Sequence, residues 1–230
     1  MPMILHLLTL LSFLSLLSLS YSYNILSKVL LLQGQVSIGY GRGSKKLGIP
    51  TANLPHYNDL LLHNNYQRGV YFGWGIIEND DSSGDDACKI YGCVANIGIS
   101  PTFQGQENAV NIVEAHILDR NSNTDSSSSS NDFYGSNMRL ALVSFLRPEQ
   151  KFQSFDALIN QINADINTAR NLRDSTSSSS NDEAMSRAYS IAKDFFRTSF
   201  DIIEIRTKYK DSIVVNTNTN SQALWCTIPL

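Results

Sequence analysis

In "VNIVEAHIL", residues 110–118, Val113, Ala115 and Ile117 alternate with Ile112, Glu114 and His116. Successive side chains of a β-strand point to opposite faces. One face of this stretch is therefore wholly apolar and belongs against a core, while the other presents a carboxylate and an imidazole. A period of two over this length predicts a half-covered strand rather than a helix.

Working outward, four more runs rich in Val, Ile, Tyr and Phe have strand-like lengths and turn-like borders: 34–38, 69–77, 89–97 and 138–146. The polar "ENDDSSGDDAC", 78–88, separates two of them and reads as a long hairpin loop. The C-terminal third changes period. Phe155, Leu158, Ile159, Ile162, Ile166 and Ala169 recur at helical steps behind Ser154, a side chain suited to cap the first turn. Ala184, Met185, Ala188, Tyr189, Ala192, Phe195 and Phe196 repeat that spacing over 183–197. Strands first and helices last predict a mainly β protein, a small antiparallel barrel or sandwich with helices packed outside.

With 230 residues, 42% of them hydrophobic, there is apolar material for one compact core but not for two. A net charge of -3 argues against a general nucleic-acid binder, so any anionic ligand must meet a local group of cations. Cys88, Cys93 and Cys226 are odd in number and form no C-x-x-C pair, which indicates neither a disulfide framework nor a zinc site. The serine-rich tracts 121–132 and 174–182 are too polar to bury and are expected to be disordered linkers. Residues 4–19 are almost wholly Leu, Ser, Thr and Phe, and Ser18-Leu19-Ser20 offers a small-x-small cleavage site. The run is too short to span a bilayer and reads as a signal-peptide core, although no Lys or Arg precedes Lys28.

Chemistry concentrates in "GRGSKKLGIPTANLP", 41–55. The glycines read as turn residues and the cations as a solvated loop, or the two act together, since free backbone N–H groups and a lysine hold phosphate oxygens. The segment is neither a Walker loop, lacking the G-K-[ST] ending, nor a Rossmann fingerprint. Thr51 and Asn53, two residues apart in an extended run, project to one side and offer hard oxygen donors of the kind Mg²⁺ shares with phosphates and water. Glu114 reads either as an exposed strand position or as a working carboxylate. His116 reads as a half-buried histidine with one satisfied hydrogen bond. Cations, magnesium donors and a carboxylate on a separate strand are the parts of phosphoryl transfer to a hydroxyl.

Six stretches then carry a resemblance in order: "GQVSIGYGRGSKKLGIPTANLP", "GVYFGW", "ANIGISPTF", "VEAHILD", "DFYG" and "FLRPEQKFQSFDALINQINADINTA". The chain resembles the riboflavin kinase family over about residues 34–170. The resemblance implies a six-stranded Greek-key β-barrel with C-terminal α-helices outside, and phosphorylation of riboflavin to FMN with ATP. It implies that Gly39, Lys45, Ile117 and Tyr134 serve ATP, that Arg147 and Phe152 lie on the flavin side, and that Thr51 and Asn53 bind Mg²⁺, or Zn²⁺ in its place. It makes Glu114 the catalytic carboxylate. The domain division it suggests is a leader at 1–33, a kinase domain at 34–170 and an extension at 171–230 with a linker and one helix. Riboflavin and ATP are the expected partners of a monomer, with no nucleic acid and no membrane for the catalytic domain. An ATP-using enzyme behind a signal-like leader implies secretory-route entry to an organelle such as a plastid, with a cytoplasmic protein as the alternative. Two departures stand out, the serine-rich insertion ahead of "DFYG" and Ser100 within "GISPTF". The rival reading is a barrel that binds flavin or nucleotide without turning it over.

Overall fold

The computed structural model describes residues 24–37, 50–54, 66–78, 89–99, 111–120, 134–177, 182–197, 214–216 and 224–229. Eight strands form one antiparallel sheet: β1 (Asn24–Gln35), β2 (Ala52–Leu54), β3 (Gly69–Ile77), β4 (Tyr91–Ile99), β5 (Asn111–Ile117), β6 (Asn137–Pro148), β7 (Val214–Asn216) and β8 (Leu224–Pro229). Their order is β2-β5-β4-β3-β6-β1-β8-β7. Strands β3, β4 and β5 follow one another as neighbours and β6 returns beside β3, which is a Greek key. The ladder is not closed. Its β2 edge meets the chain just beyond β1 through one antiparallel bridge, Ser37 with Asn53, where the Ser37 N–H donates to the Asn53 carbonyl at 2.8 Å.

The curled sheet has an apolar layer on each side. Inside, Leu30, Leu32, Ala52, Leu54, Ile97 and Val113 belong to a single buried cluster that draws on both ends of the β2 to β1 run. Outside, Val29, Leu31, Phe72, Trp74 and Ile76 meet the helices α1 (Phe155–Ser177) and α2 (Glu183–Arg197). Burying each such large side chain is worth about 1.5–3 kcal/mol. Gly73 marks the tightest strand approach, since a Cβ there would stand 2.2 Å from the Ala141 carbonyl oxygen, next to an irregularity in the β3–β6 register. The helices begin as their sequences dictate: Ser154 Oγ accepts the Ala157 N–H at 3.1 Å and Asp182 Oδ1 accepts that of Met185 at 3.1 Å. Arg139 of β6 holds α2 down, with its guanidinium 2.6 Å from Glu78 and 3.2 Å from the Phe195 carbonyl.

Three sequence expectations shift. The boundary at residue 34 falls inside β1, which starts at Asn24 and pairs with β6 and β8. Residues 28–33 lack alternation because both of their faces are covered, Leu30 and Leu32 by the inner cluster and Val29 and Leu31 by the helices. Helix α1 runs to Ser177, past the expected domain end at 170 and into the start of the second serine tract. The extension at 171–230 also adds β8 beside β1 and β7 beyond it. The tract at 121–132 and most of the 78–88 loop lie outside the described residues, although β3 and β4 do form the hairpin that flanks the latter. Among the described residues, no helix is long and apolar enough to cross a membrane. Cys93 is a free thiol buried in the inner cluster, and burial pushes its pKa up to about 12, so it stays protonated and inert.

Candidate active site

Strand β5 is central to the site because its two neighbours present polar residues to the same outer face. Asn53 of β2 and Asn96 of β4 both stand directly opposite Glu114 in the register. Val113 and Ala115, on either side of Glu114, are fully buried in the inner cluster, so the carboxylate points outward. Thr51, one residue ahead of β2, donates from Oγ1 to Glu114 Oε1 at 2.5 Å. The hydroxyl proton is thereby committed to the carboxylate, and the lone pairs of Oγ1 face away from it. The chain leaves the described residues at Ser37 and returns at Pro50, and both points lie in this neighbourhood: Ser37 bridges Asn53, and the Pro50 carbonyl meets His116 Nδ1 at 2.9 Å. Gly39 and Lys45 fall between them, outside the described residues.

His116 has the single hydrogen bond that its sequence position suggests. Because the partner is a carbonyl, Nδ1 carries the proton and Nε2 is the basic nitrogen. Desolvation lowers the histidine's pKa below its ordinary value, against the hydrogen bond to Pro50, with Arg170 pushing in the same direction as burial and Asp119 opposing it. Asp119, in the turn two residues past β5, adopts the left-handed region at φ 52° and accepts from Arg170 at 3.0 Å and Arg173 at 2.5 Å, tying α1 to this end of the strand. Hydrogen bonding from Arg173, more than any other cause, holds the Asp119 carboxyl below the usual range.

Arg147 lies in the same row around the sheet, since Asn96 pairs with Val70 and Val70 with Arg147. Three strand spacings of about 4.8 Å place it roughly 14 Å from Glu114 along the sheet surface. Its guanidinium is held side-on by Asp165 of α1, Nε to Oδ1 at 2.9 Å and Nη2 to Oδ2 at 2.7 Å, and Gln161 adds a bond to the same carboxylate at 2.9 Å. The guanidinium lies 5.9 Å from the centre of the Phe152 ring. Arg147 thus lies over the Phe152 ring while remaining fixed to the helix. Ile117 belongs to the inner cluster and Tyr134 packs against it, partly buried.

Three residues that the sequence did not single out join this surface. Asp165 fixes Arg147. Asn96 sits beside Glu114 and donates from Nδ2 towards Glu149 Oε1 at 3.4 Å. Glu149 in turn leans over Gly98, where an added Cβ would stand only 2.1 Å from its Oε1. The available signal was a polar side chain in the middle of the otherwise apolar "YGCVANIGI" of β4.

The Thr51 hydroxyl, bonded to Glu114, and Asn53, opposite Glu114 in the register, place two oxygen donors beside the carboxylate, which fits a hard cation that completes its shell with phosphate and water. Imidazole and thiolate, the donors that favour zinc, do not converge here: among the described residues no group of three or more His, Cys, Asp or Glu side chains could hold a metal, and His116 Nδ1 is taken by Pro50.

The family model for riboflavin kinase (Flavokinase) matches residues 26–173, more than half of the chain. The chain belongs to the riboflavin kinase family. Riboflavin kinases from Mus musculus and Homo sapiens are each 37% identical to it over 138 residues, covering 60% of this chain and 77% of theirs. The riboflavin kinase of Pyricularia oryzae is 34% identical over 149 residues, 60% of this chain and 68% of its own. Among solved structures, riboflavin kinase from Trypanosoma brucei aligns at 21% identity and a TM-score of 0.46 over 75% of this chain and 85% of that one, a likeness that adds nothing to the assignment. The family match starts within β1 and ends within α1, so the riboflavin kinase region includes residues the sequence had assigned to a leader. The chain is an FMN-forming kinase.

Proposed function

We propose that Glu114 is the base of this riboflavin kinase and that Thr51 and Asn53 hold the metal that accompanies ATP. The reaction is phosphoryl transfer to the 5′-hydroxyl of the ribityl chain. Glu114 accepts the hydroxyl proton, the freed oxygen forms a bond to the γ-phosphorus, the bond from that phosphorus to the β,γ-bridging oxygen breaks, and ADP leaves. Mg²⁺, when bound, supplies charge neutralisation beside the phosphates. Thr51 and Asn53 orient the oxygens around the carboxylate, and Thr51 keeps Glu114 in a fixed rotamer. The observation that carries this reading is the 2.5 Å hydrogen bond between Thr51 Oγ1 and Glu114 Oε1, which unites two motifs 63 residues apart in the chain. Gly39 and Lys45 belong to the connection between Ser37 and Pro50, whose two ends lie beside these groups, and we assign them to the phosphates of ATP, with Ile117 and Tyr134 on the nucleotide side. Arg147 and Phe152 form the flavin side.

Incubating the purified chain with riboflavin, ATP and Mg²⁺ and separating the products by chromatography tests the proposal. FMN should form, and Glu114→Gln should lower turnover far more than ATP affinity; equal losses would remove Glu114 as the base. A barrel that only binds flavin would retain riboflavin and form no FMN. We further assign the protein to the secretory route and an organelle. Because β1 starts at Asn24, residues 1–23 are the segment to fuse to a fluorescent protein, and diffuse cytoplasmic signal would overturn that assignment.

A further inference from the structure

Between the carboxylate that meets the 5′-hydroxyl and the Phe152 side that meets the ring system, a riboflavin molecule must cross β4 and β3. A chain of five carbons, at about 1.5 Å per carbon–carbon bond, spans roughly 6 Å once its zigzag is allowed for. That is little more than one strand spacing of about 4.8 Å. With its terminal carbon at Glu114, the remaining ribityl carbons lie over β4. What β4 and its neighbour offer there is polar: the Asn96 amide, directly opposite Glu114, and the Glu149 carboxylate above Gly98. One strand further, Val70 is apolar and buried and offers no partner to hydroxyls.

The pairing of Asn96 and Glu149 has the chemistry of a polyol reader. A carboxylate accepts from two hydroxyls, and an amide donates to one oxygen while accepting from another. Their mutual contact, 3.4 Å, is long for a hydrogen bond, so an incoming hydroxyl displaces little. Glu149 is exposed and Asn96 half-buried, which leaves both reachable from solvent. Glycine at 98 is what lets the carboxylate lie this low, since any side chain would occupy its place. Asp165, by contrast, is spent on Arg147 and Gln161.

We infer that Asn96 and Glu149 bind the secondary hydroxyls of the ribityl chain and make the enzyme select for a polyhydroxylated side chain rather than for any flavin with a terminal alcohol. The inference rests on the riboflavin kinase reading above. Its test uses riboflavin and a flavin carrying a 5-hydroxypentyl group on N10, which keeps the primary alcohol and lacks the other hydroxyls. Binding is read by quenching of flavin fluorescence and turnover by the ATP-dependent phosphorylated product. The unaltered chain should bind riboflavin about 10- to 100-fold more tightly than the hydroxypentyl flavin. Glu149→Gln and Asn96→Ala should each erase most of that preference by weakening riboflavin alone, with KM raised more than kcat is lowered. Equal affinity of the unaltered chain for the two flavins would overturn the subsite, as would an equal weakening of both by the variants. Glu149→Gln changes an exposed side chain and preserves its shape, so its result stands even if Asn96→Ala fails to fold. Should neither flavin be phosphorylated while riboflavin still binds selectively, the kinase reading fails and the subsite survives.

Discussion

The outer face of the sheet is one continuous surface with two unlike halves. Over β1, β3 and β6 it carries Val29, Leu31, Phe72, Trp74 and Ile76, all buried under α1 and α2. Over β2, β5 and β4 it carries the polar Asn53, Glu114, His116 and Asn96, and Val94 of β4 marks where the helix-side cluster reaches in. The inner face makes no such distinction, because both halves feed one cluster. The fold therefore obtains its stability from the inside and from the helix-covered half, and keeps the polar half for chemistry. Asp165 and Arg147 sit on the border, where a helix side chain fixes an arginine at the edge of the open half.

The contrast predicts that substitutions on the two halves fail differently. The largest effect belongs to Glu114→Gln, which should reduce FMN formation by about 10²- to 10⁴-fold, the range for losing a positioned general base. Its denaturation midpoint should stay close to that of the unaltered chain, because the side chain supports no core contact. On the covered half, Phe72→Ala removes a fully buried ring packed edge-on against Trp74 at a centroid distance of 5.2 Å. It should cost about 3–5 kcal/mol of stability in chemical denaturation. The KM for riboflavin of the folded fraction should be unchanged. If Phe72→Ala altered KM or Glu114→Gln unfolded the protein, the division of labour would be lost.

A smaller change sharpens the polar half. Thr51→Val keeps the shape of the side chain but removes the hydroxyl that both holds Glu114 and faces the proposed metal position. Turnover should fall about 10- to 100-fold, roughly the worth of one hydrogen bond to a charged group. The loss should shrink as Mg²⁺ is raised. Glu114→Gln should show no such rescue. Titrating activity against Mg²⁺ in both variants separates the metal donor from the base, and parallel curves would merge the two roles.

Legibility followed coverage. Where one face of a strand is covered and the other open, alternation is plain, and 110–118 showed its core side and the outward position of Glu114, though not what Glu114 does. Where both faces are covered, alternation vanishes: "KVLLLQ" in β1 looked like the tail of a hydrophobic leader, although Leu30 and Leu32 line the inside and Val29 and Leu31 the helix side. The helix at 183–197 was legible because Met185, Ala188, Ala192, Phe195 and Phe196 recur at helical spacing and all belong to its buried face. The opposing positions of Asn53, Asn96 and Glu114 were not, because register is a property of pairing between strands and leaves no trace in any one of them. The reach of Glu149 over Gly98 depends on two segments about fifty residues apart, so only the fold brings them together.

The smallest predicted effect concerns His116, which stands at the boundary between catalysis and support. Its side chain holds the Pro50 carbonyl, and Pro50 precedes Thr51, the residue we assign to the metal. Burial depresses its folded pKa, so the folded state prefers the neutral ring. A group of this kind contributes stability that is fully present above its unfolded pKa of about 6.5 and declines as pH falls towards its lower folded value. Stability measured by urea denaturation should therefore drop between about pH 7.5 and pH 5 by more than in His116→Asn, whose amide nitrogen occupies the place of Nδ1 and still donates to Pro50 but cannot titrate. The nearby Asp119 does not mimic this, because its depressed carboxyl loses its contribution only well below that window. A matching pH slope in both proteins would assign the acid sensitivity elsewhere. A shallower slope with activity retained would place His116 with the helix-covered half, as a residue that holds the edge of the site without entering its chemistry.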